Sequence, residues 1–345
     1  MATVELKNDT LWFEFPEVHE DAKLGIDLQR TLRIPDDGKK YSLPPGLGSF
    51  PMCRVDEYKA NAPASWIEHG GIMIPMYQSE AMWIRFQPSH TYDRDSAYPF
   101  AIKISTGKVS AVTGETYQKG LKKGDYLVAP LQPWLDGYVV EKGLIRQFVA
   151  TPLGSGFSAE AQITGQDIHG GIQVEVIPMK KENFERRFPK RKPVLYSTCD
   201  SIEYERGFGP SAAAASIDMS LAPGGMMKQE IYEDPYGLEE WARGYTARCF
   251  IHIANSLVWS AITGKQPPTT PPTAKQYTNA GLPWFEYYND ALKHVNATDK
   301  LKGLKGVAEM GKEKKMPMLP ENEPVSGEKV VVLKGKPNEV RQGTW

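Results

Sequence analysis

The sequence predicts a mainly β protein: an antiparallel β-sandwich or jelly-roll-like assembly with a short helical segment near the C-terminus and a mobile tail. Three observations carry this expectation. Most apolar runs are short, rich in Val, Ile, Tyr, Phe and Trp, and bounded by Gly, Pro, Asn or Asp, which is the punctuation of strands. Neighbouring runs are joined by brief turns, such as Thr106-Gly107 between Ile104 and Val109, or Lys142-Gly143 between Val140 and Leu144. Turns of that length join antiparallel strands, because a parallel crossover needs about a dozen residues or more. Amphipathic helical periodicity is almost absent before residue 280, which argues against a wound α/β fold.

Taken in order, strands are expected at residues 10–15, 71–76, 81–86, 100–105, 108–112, 125–129, 137–141, 144–151, 171–178, 194–198, 216–219, 226–232, 247–254 and 258–263. Pro35-Asp36-Asp37-Gly38 through Pro44-Pro45-Gly46-Leu47-Gly48 marks an irregular early loop. Gln266-Pro267-Pro268-Thr269-Thr270-Pro271-Pro272-Thr273 has polyproline character, stiff and without internal hydrogen bonds. Such a segment either docks into another protein's aromatic groove or straps the chain's own surface. The apolar anchor that follows favours the strap. Gly281-Leu282-Pro283-Trp284-Phe285-Glu286-Tyr287-Tyr288 leads into a helical reading through about Val295, with Pro283 near its first turn. From Asp299 the chain is rich in Lys, Gly, Glu and Pro, so most of 300–345 reads as mobile, with a short strand at 329–333. The expected organisation is a β-rich core over 1–265, a proline strap and aromatic helical segment packing on it over 266–298, and the tail over 299–345.

Composition narrows the function classes. With 345 residues, 41% hydrophobic and 24% charged, the chain has globular composition and ample core-forming capacity. Its 41 basic and 42 acidic residues leave a net charge of -1, so no global field draws it to nucleic acid or an anionic membrane. Cys53, Cys199 and Cys249 are far apart and form no CxxC, which argues against a zinc ribbon and fits a reducing compartment. No run approaches the roughly 20 apolar residues of a membrane span, and the first residues carry charge where a secretory signal needs an apolar stretch. A cytoplasmic, soluble protein is the expectation.

The word His-Gly-Gly-Ile occurs twice, at His69-Gly70-Gly71-Ile72 and His169-Gly170-Gly171-Ile172, and each copy opens an apolar stretch closed by Pro-Met. At average residue usage a chain this long contains about one such coincidence, and no longer alignment supports a duplicated domain. The direct reading is a turn, a strand and a proline stop. The rival reading brings His69 and His169 together, with His252, as acid/base groups or ligands. No HxH, HxxxH or HExxH is present, so no metal site and no cofactor is expected from local spacing.

Gly124-Asp125-Tyr126-Leu127-Val128-Ala129-Pro130 is similar to the opening of the second cupin motif. Leu131-Gln132-Pro133-Trp134 then stands where cupins place the metal histidine, so the resemblance implies a jelly-roll strand and turn without the metal chemistry. Gly154-Ser155-Gly156-Phe157-Ser158-Ala159 matches a loose dinucleotide loop, but the next strand comes too soon for a crossover helix. Glu230 and Glu233, near a strand end, are candidate carboxylates for acid/base work or glycoside hydrolysis; the direct reading is a charged edge. Trp134 and Asp136, extended by Trp66, Trp83 and Trp284, are candidates for a sugar platform, against the plainer reading of rings closing the core. The leading function is therefore a non-catalytic β-sandwich scaffold or binding protein that associates with itself or another protein. Its rival is an enzyme acting on a sugar or small polar metabolite through His69, His169, His252, Glu230 and Glu233.

Overall fold

The computed structural model describes residues 2–91, 94, 96–190, 218–267, 271–289, 291–317, 322–325 and 329–334. Cys199, the expected strand at 194–198, the start of the one at 216–219 and the middle of the proline segment lie outside the described residues. The chain is mainly β and mostly antiparallel. The first strands are β1 (Thr3–Lys7), β2 (Thr10–Glu14), β3 (Lys23–Leu32), β4 (Lys40–Tyr41), β5 (Gly46–Ser49), β6 (Cys53–Arg54), β7 (Ile72–Pro75) and β8 (Glu80–Pro88). They are followed by β9 (Phe100–Thr106), β10 (Val109–Ser110), β11 (Leu127–Ala129), β12 (Trp134–Leu135), β13 (Gly137–Glu141) and β14 (Leu144–Pro152). The last are β15 (Ile172–Pro178), β16 (Asp218–Lys228), β17 (Ala247–Ala254), β18 (Trp284–Tyr288) and β19 (Val330–Lys334).

Hydrogen bonding runs continuously from β1 through β2, β3, β8, β14, β16, β17 and β15 to β9. Alternation decides which side is core. On β3, Leu24, Ile26 and Leu28 are fully buried, and on β8 so are Met82 and Ile84. Their odd-numbered neighbours on both strands carry Gln, Asp, Arg and Trp on the opposite face. The two expected hairpins form. Glu141 pairs with Leu144 across Lys142-Gly143, and Val109 pairs with Thr106 across Gly107-Lys108, one residue later than the spacing suggested.

Three expectations are corrected. Residues 258–263 are not a strand but part of a helix, Ser256–Thr263. The helices in chain order are α1 (Ala64–His69), α2 (Ala159–Thr164), α3 (Lys181–Arg187), α4 (Ser256–Thr263), α5 (Ala274–Asn279), α6 (Asp299–Lys302) and α7 (Val307–Glu313). Asn255 caps α4 by accepting the N–H groups of Leu257 and Val258, and Val258, Trp259 and Ile262 form its buried stripe. The aromatic segment from Trp284 is a strand rather than a helix. Phe285 exchanges backbone hydrogen bonds with Leu43, and β18 pairs in parallel with β19. Bulky aromatic side chains suit a pleated surface, and here pairing overrode the helix-start signal of Pro283. Finally, residues 218–219 and 226–228 of the two expected strands at 216–219 and 226–232 belong to one strand, β16, and residues 229–232 lie beyond its end. It runs through Pro223-Gly224-Gly225 by way of an irregularity opposite Arg146 and Phe148 of β14.

Helical structure near the C-terminus is present, but elsewhere than at Trp284. Thr273 and Gln276 form a capping box on α5, and Leu301 of α6 is fully buried in the main core. No helix of the described residues is long and apolar enough to cross a membrane.

Candidate functional site

Both His-Gly-Gly-Ile segments end against β17. Ile72 opens β7 and pairs in parallel with Ile251, while Ile172 opens β15 and pairs antiparallel with the same Ile251. The opposite strand directions mean that the copies are two turns meeting one strand. The glycines are needed for two reasons at once. Gly71 has φ 84° and a Cβ there would lie 2.1 Å from the Phe250 carbonyl oxygen. Gly171 has φ 57° and a Cβ there would lie 2.7 Å from the Ile251 carbonyl oxygen. Only glycine combines the left-handed backbone with that close an approach.

The turns bring three imidazoles to one cavity. His252, 4% exposed, stacks between Trp66 and Phe250, with centroids 4.7 and 4.5 Å away. Its Nε2–H donates to the Gly70 carbonyl at 3.0 Å, and burial pushes its pKa down to about 4, so it is neutral at pH 7. His69 ends α1, where Nδ1 donates to the Ser65 carbonyl at 2.6 Å and the ring lies 6.5 Å from that of His252. His169 is held differently. Its Nδ1 hydrogen-bonds Oε1 of Glu160, a carboxylate only 2% exposed, and Glu160 Oε2 accepts the backbone N–H of His169 at 3.1 Å. Ser158 caps α2 and thereby places Glu160 in its first turn.

The three histidines line a cavity of about 70 Å³ together with Trp66, Asp218, Met219 and Phe250. Asp218 opens β16; its Oδ1 is buried without a hydrogen bond among the described residues, and burial raises its pKa. Glu160 and Asp218 were not singled out by sequence reasoning. Glu160 follows a helix-capping Ser and a small residue, which gives a helix start but no chemistry, and nothing local marks Asp218. No group of three His, Cys, Asp or Glu among the described residues is arranged to hold a metal ion.

The other sequence candidates do not join this cavity. Glu230 pairs with His294 at 3.1 Å, and the Glu233 N–H donates to the Lys293 carbonyl. Between them and the core, Asp234 does the structural work, accepting from Tyr126, Trp241 and the N–H groups of Tyr236 and Gly237. Trp134, Asp136 and Trp284 form no common sugar platform. Asp136 is 2% exposed, accepts from Gln229 Nε2 at 2.6 Å, and burial raises its pKa to about 7. Trp284 is 1% exposed between Tyr41 and Tyr277. Trp134 alone stays half-buried at a rim, against Trp83 and Tyr287. Trp66, offered as an extension of that platform, is instead a wall of the histidine cavity.

No protein-family model, curated protein or solved structure matches the chain.

Proposed function

We propose that the protein handles a small polar molecule in the cavity between the two His-Gly-Gly turns, with His169 as its proton-exchanging group. The observation that carries this reading is the pairing of His169 Nδ1 with the buried carboxylate of Glu160. A carboxylate on Nδ1 fixes the tautomer and orientation of the ring and leaves Nε2 as the working nitrogen, which is how an imidazole is prepared for general acid/base work. His69 and His252 spend ring nitrogens on backbone carbonyls, so they act as walls and hydrogen-bonding contacts. A cavity of about 70 Å³ limits the bound group to a few heavy atoms.

The test is a histidine-resolved NMR titration of the wild type and of Glu160→Gln, with acetate, glycerol and ethanolamine added singly as anionic, neutral and cationic probes. A saturable shift of the His169 ring, lost in Glu160→Gln, is the expected result. No saturable shift at His169 with any of the three sinks the reading.

A second reading, self-association, is favoured by β19. Val330, Val331, Val332 and Leu333 are 44%, 37%, 48% and 45% exposed, so both faces of the strand are apolar and open. Among the described residues its only strand partner is β18, which leaves its other edge for a second copy of the chain.

A further inference from the structure

The face of β3 and β8 opposite the core carries a second constellation. The antiparallel register sets Gly25 beside Gln87, Asp27 beside Arg85 and Gln29 beside Trp83. The flanking strands add Trp12 beside Gly25 and Trp134 beside Arg85. Two of the indoles run over glycines. A Cβ on Gly25 would lie 3.3 Å from the Trp12 ring, and one on Gly46 would lie 3.2 Å from the Trp83 ring. Both rings therefore lie against bare backbone and remain partly open to solvent. Gly25 and Gln29 are four residues apart on β3, so Trp12 and Trp83 are offset by about 13 Å along the strands at about 3.3 Å per residue and, standing on β2 and β8 to either side of β3, by about 10 Å across them.

Between the two rings sits a fixed cation. Asp27, 1% exposed, takes Nε and Nη2 of Arg85 at 2.8 Å each, and also accepts from Gln29 and Gln87. This clamp orients a guanidinium whose side chain is 44% exposed and leaves its Nη1 without a partner among the described residues. Arg85, among the described residues, thus offers charge to solvent between the two indoles, while Asp27 is covered.

We propose that this face binds an acidic oligosaccharide, its pyranose rings stacked on Trp12 and Trp83 and a uronate carboxylate taken by Arg85. Apolar sugar faces match indole rings, and a pre-oriented guanidinium is complementary in charge and geometry to a carboxylate. An offset of about 13 Å along the strands, with two strand spacings across them, suits a chain of several sugars rather than a single ring. Asp27 is a positioning residue here, holding Arg85 for the ligand.

Isothermal titration of the full chain with oligogalacturonate, and with cellohexaose as the neutral comparison, tests the proposal. Saturable binding of oligogalacturonate is expected. It should weaken about tenfold or more in Trp83→Ala, and Arg85→Gln should reduce it to the level of cellohexaose. Weakening of the acidic ligand by salt, but not of any residual cellohexaose binding, supports the role of Arg85. Trp12→Ala replaces Trp83→Ala should the latter fail to fold, as judged by circular dichroism. Absence of saturable binding, equal binding of the two sugars, or binding unchanged in both the Trp and the Arg variants overturns the proposal.

Discussion

At the scale of single residues, two buried ionisable groups pull stability in opposite directions as pH changes. His252 has its pKa lowered from 6.5 to about 4 by burial, so between those values the unfolded chain binds the proton that the folded one refuses. Its contribution is complete above pH 6.5 and is lost as pH falls toward 4, a span worth about 3 kcal/mol. Asp136 has its pKa raised from 3.8 to about 7, again by burial, so the folded chain holds a proton that the unfolded one releases. That makes folding less favourable as pH rises from 3.8 to 7, by about 4 kcal/mol. Over the shared window the slopes oppose each other. Urea unfolding at intervals from pH 4.5 to 7.5 should show a shallow profile for the wild type. Asp136→Asn should become more stable with rising pH, and His252→Phe less stable. Parallel profiles for all three proteins would refute the assignment. The ionisable types at these positions are plain in the sequence, but their depth is not, because burial depends on which distant strands cover them.

At the scale of elements, the Gly-Gly pairs give the sharpest contrast. Gly70 has φ 62° with open space around its missing Cβ, whereas Gly71 has φ 84° and would drive a Cβ into the Phe250 carbonyl. Gly70→Ala should cost about 1–2 kcal/mol for the left-handed backbone alone, and Gly71→Ala distinctly more, because β7 must also move off β17. Equal losses in chemical denaturation would show that the close approach carries no energy. Local pattern made these turns and most strands legible. It failed where one apolar run satisfies two periodicities: Val258, Trp259 and Ile262 serve a short helix as well as a strand, and the cap at Asn255 decides. It failed again at Trp284, where pairing with Leu43 and β19, both distant in the chain, chose the strand.

At the scale of the whole molecule, an almost balanced charge removes electrostatic repulsion as a barrier between copies, and β19 exposes apolar side chains and, among the described residues, pairs along one edge only. Light scattering over a concentration series should show a mass that rises with concentration, and Val331→Lys should hold the protein at one chain. A constant monomer mass for the wild type would remove the self-association reading and leave the histidine cavity unaffected.

The β class, the antiparallel hairpins and the turn chemistry of both His-Gly-Gly words follow from the sequence alone, because each depends on residues within a few positions of one another. The meeting of His69, His169 and His252 does not. It requires β7 and β15 to take opposite edges of β17, a choice made by burying their apolar faces in a shared core. Likewise Glu160 reaches His169 only because α2 is capped and seated beside β9's hairpin, where a Cβ on Gly107 would collide with the carboxylate. Local periodicity sets which face a side chain takes. Only the packed sheet decides what stands opposite it.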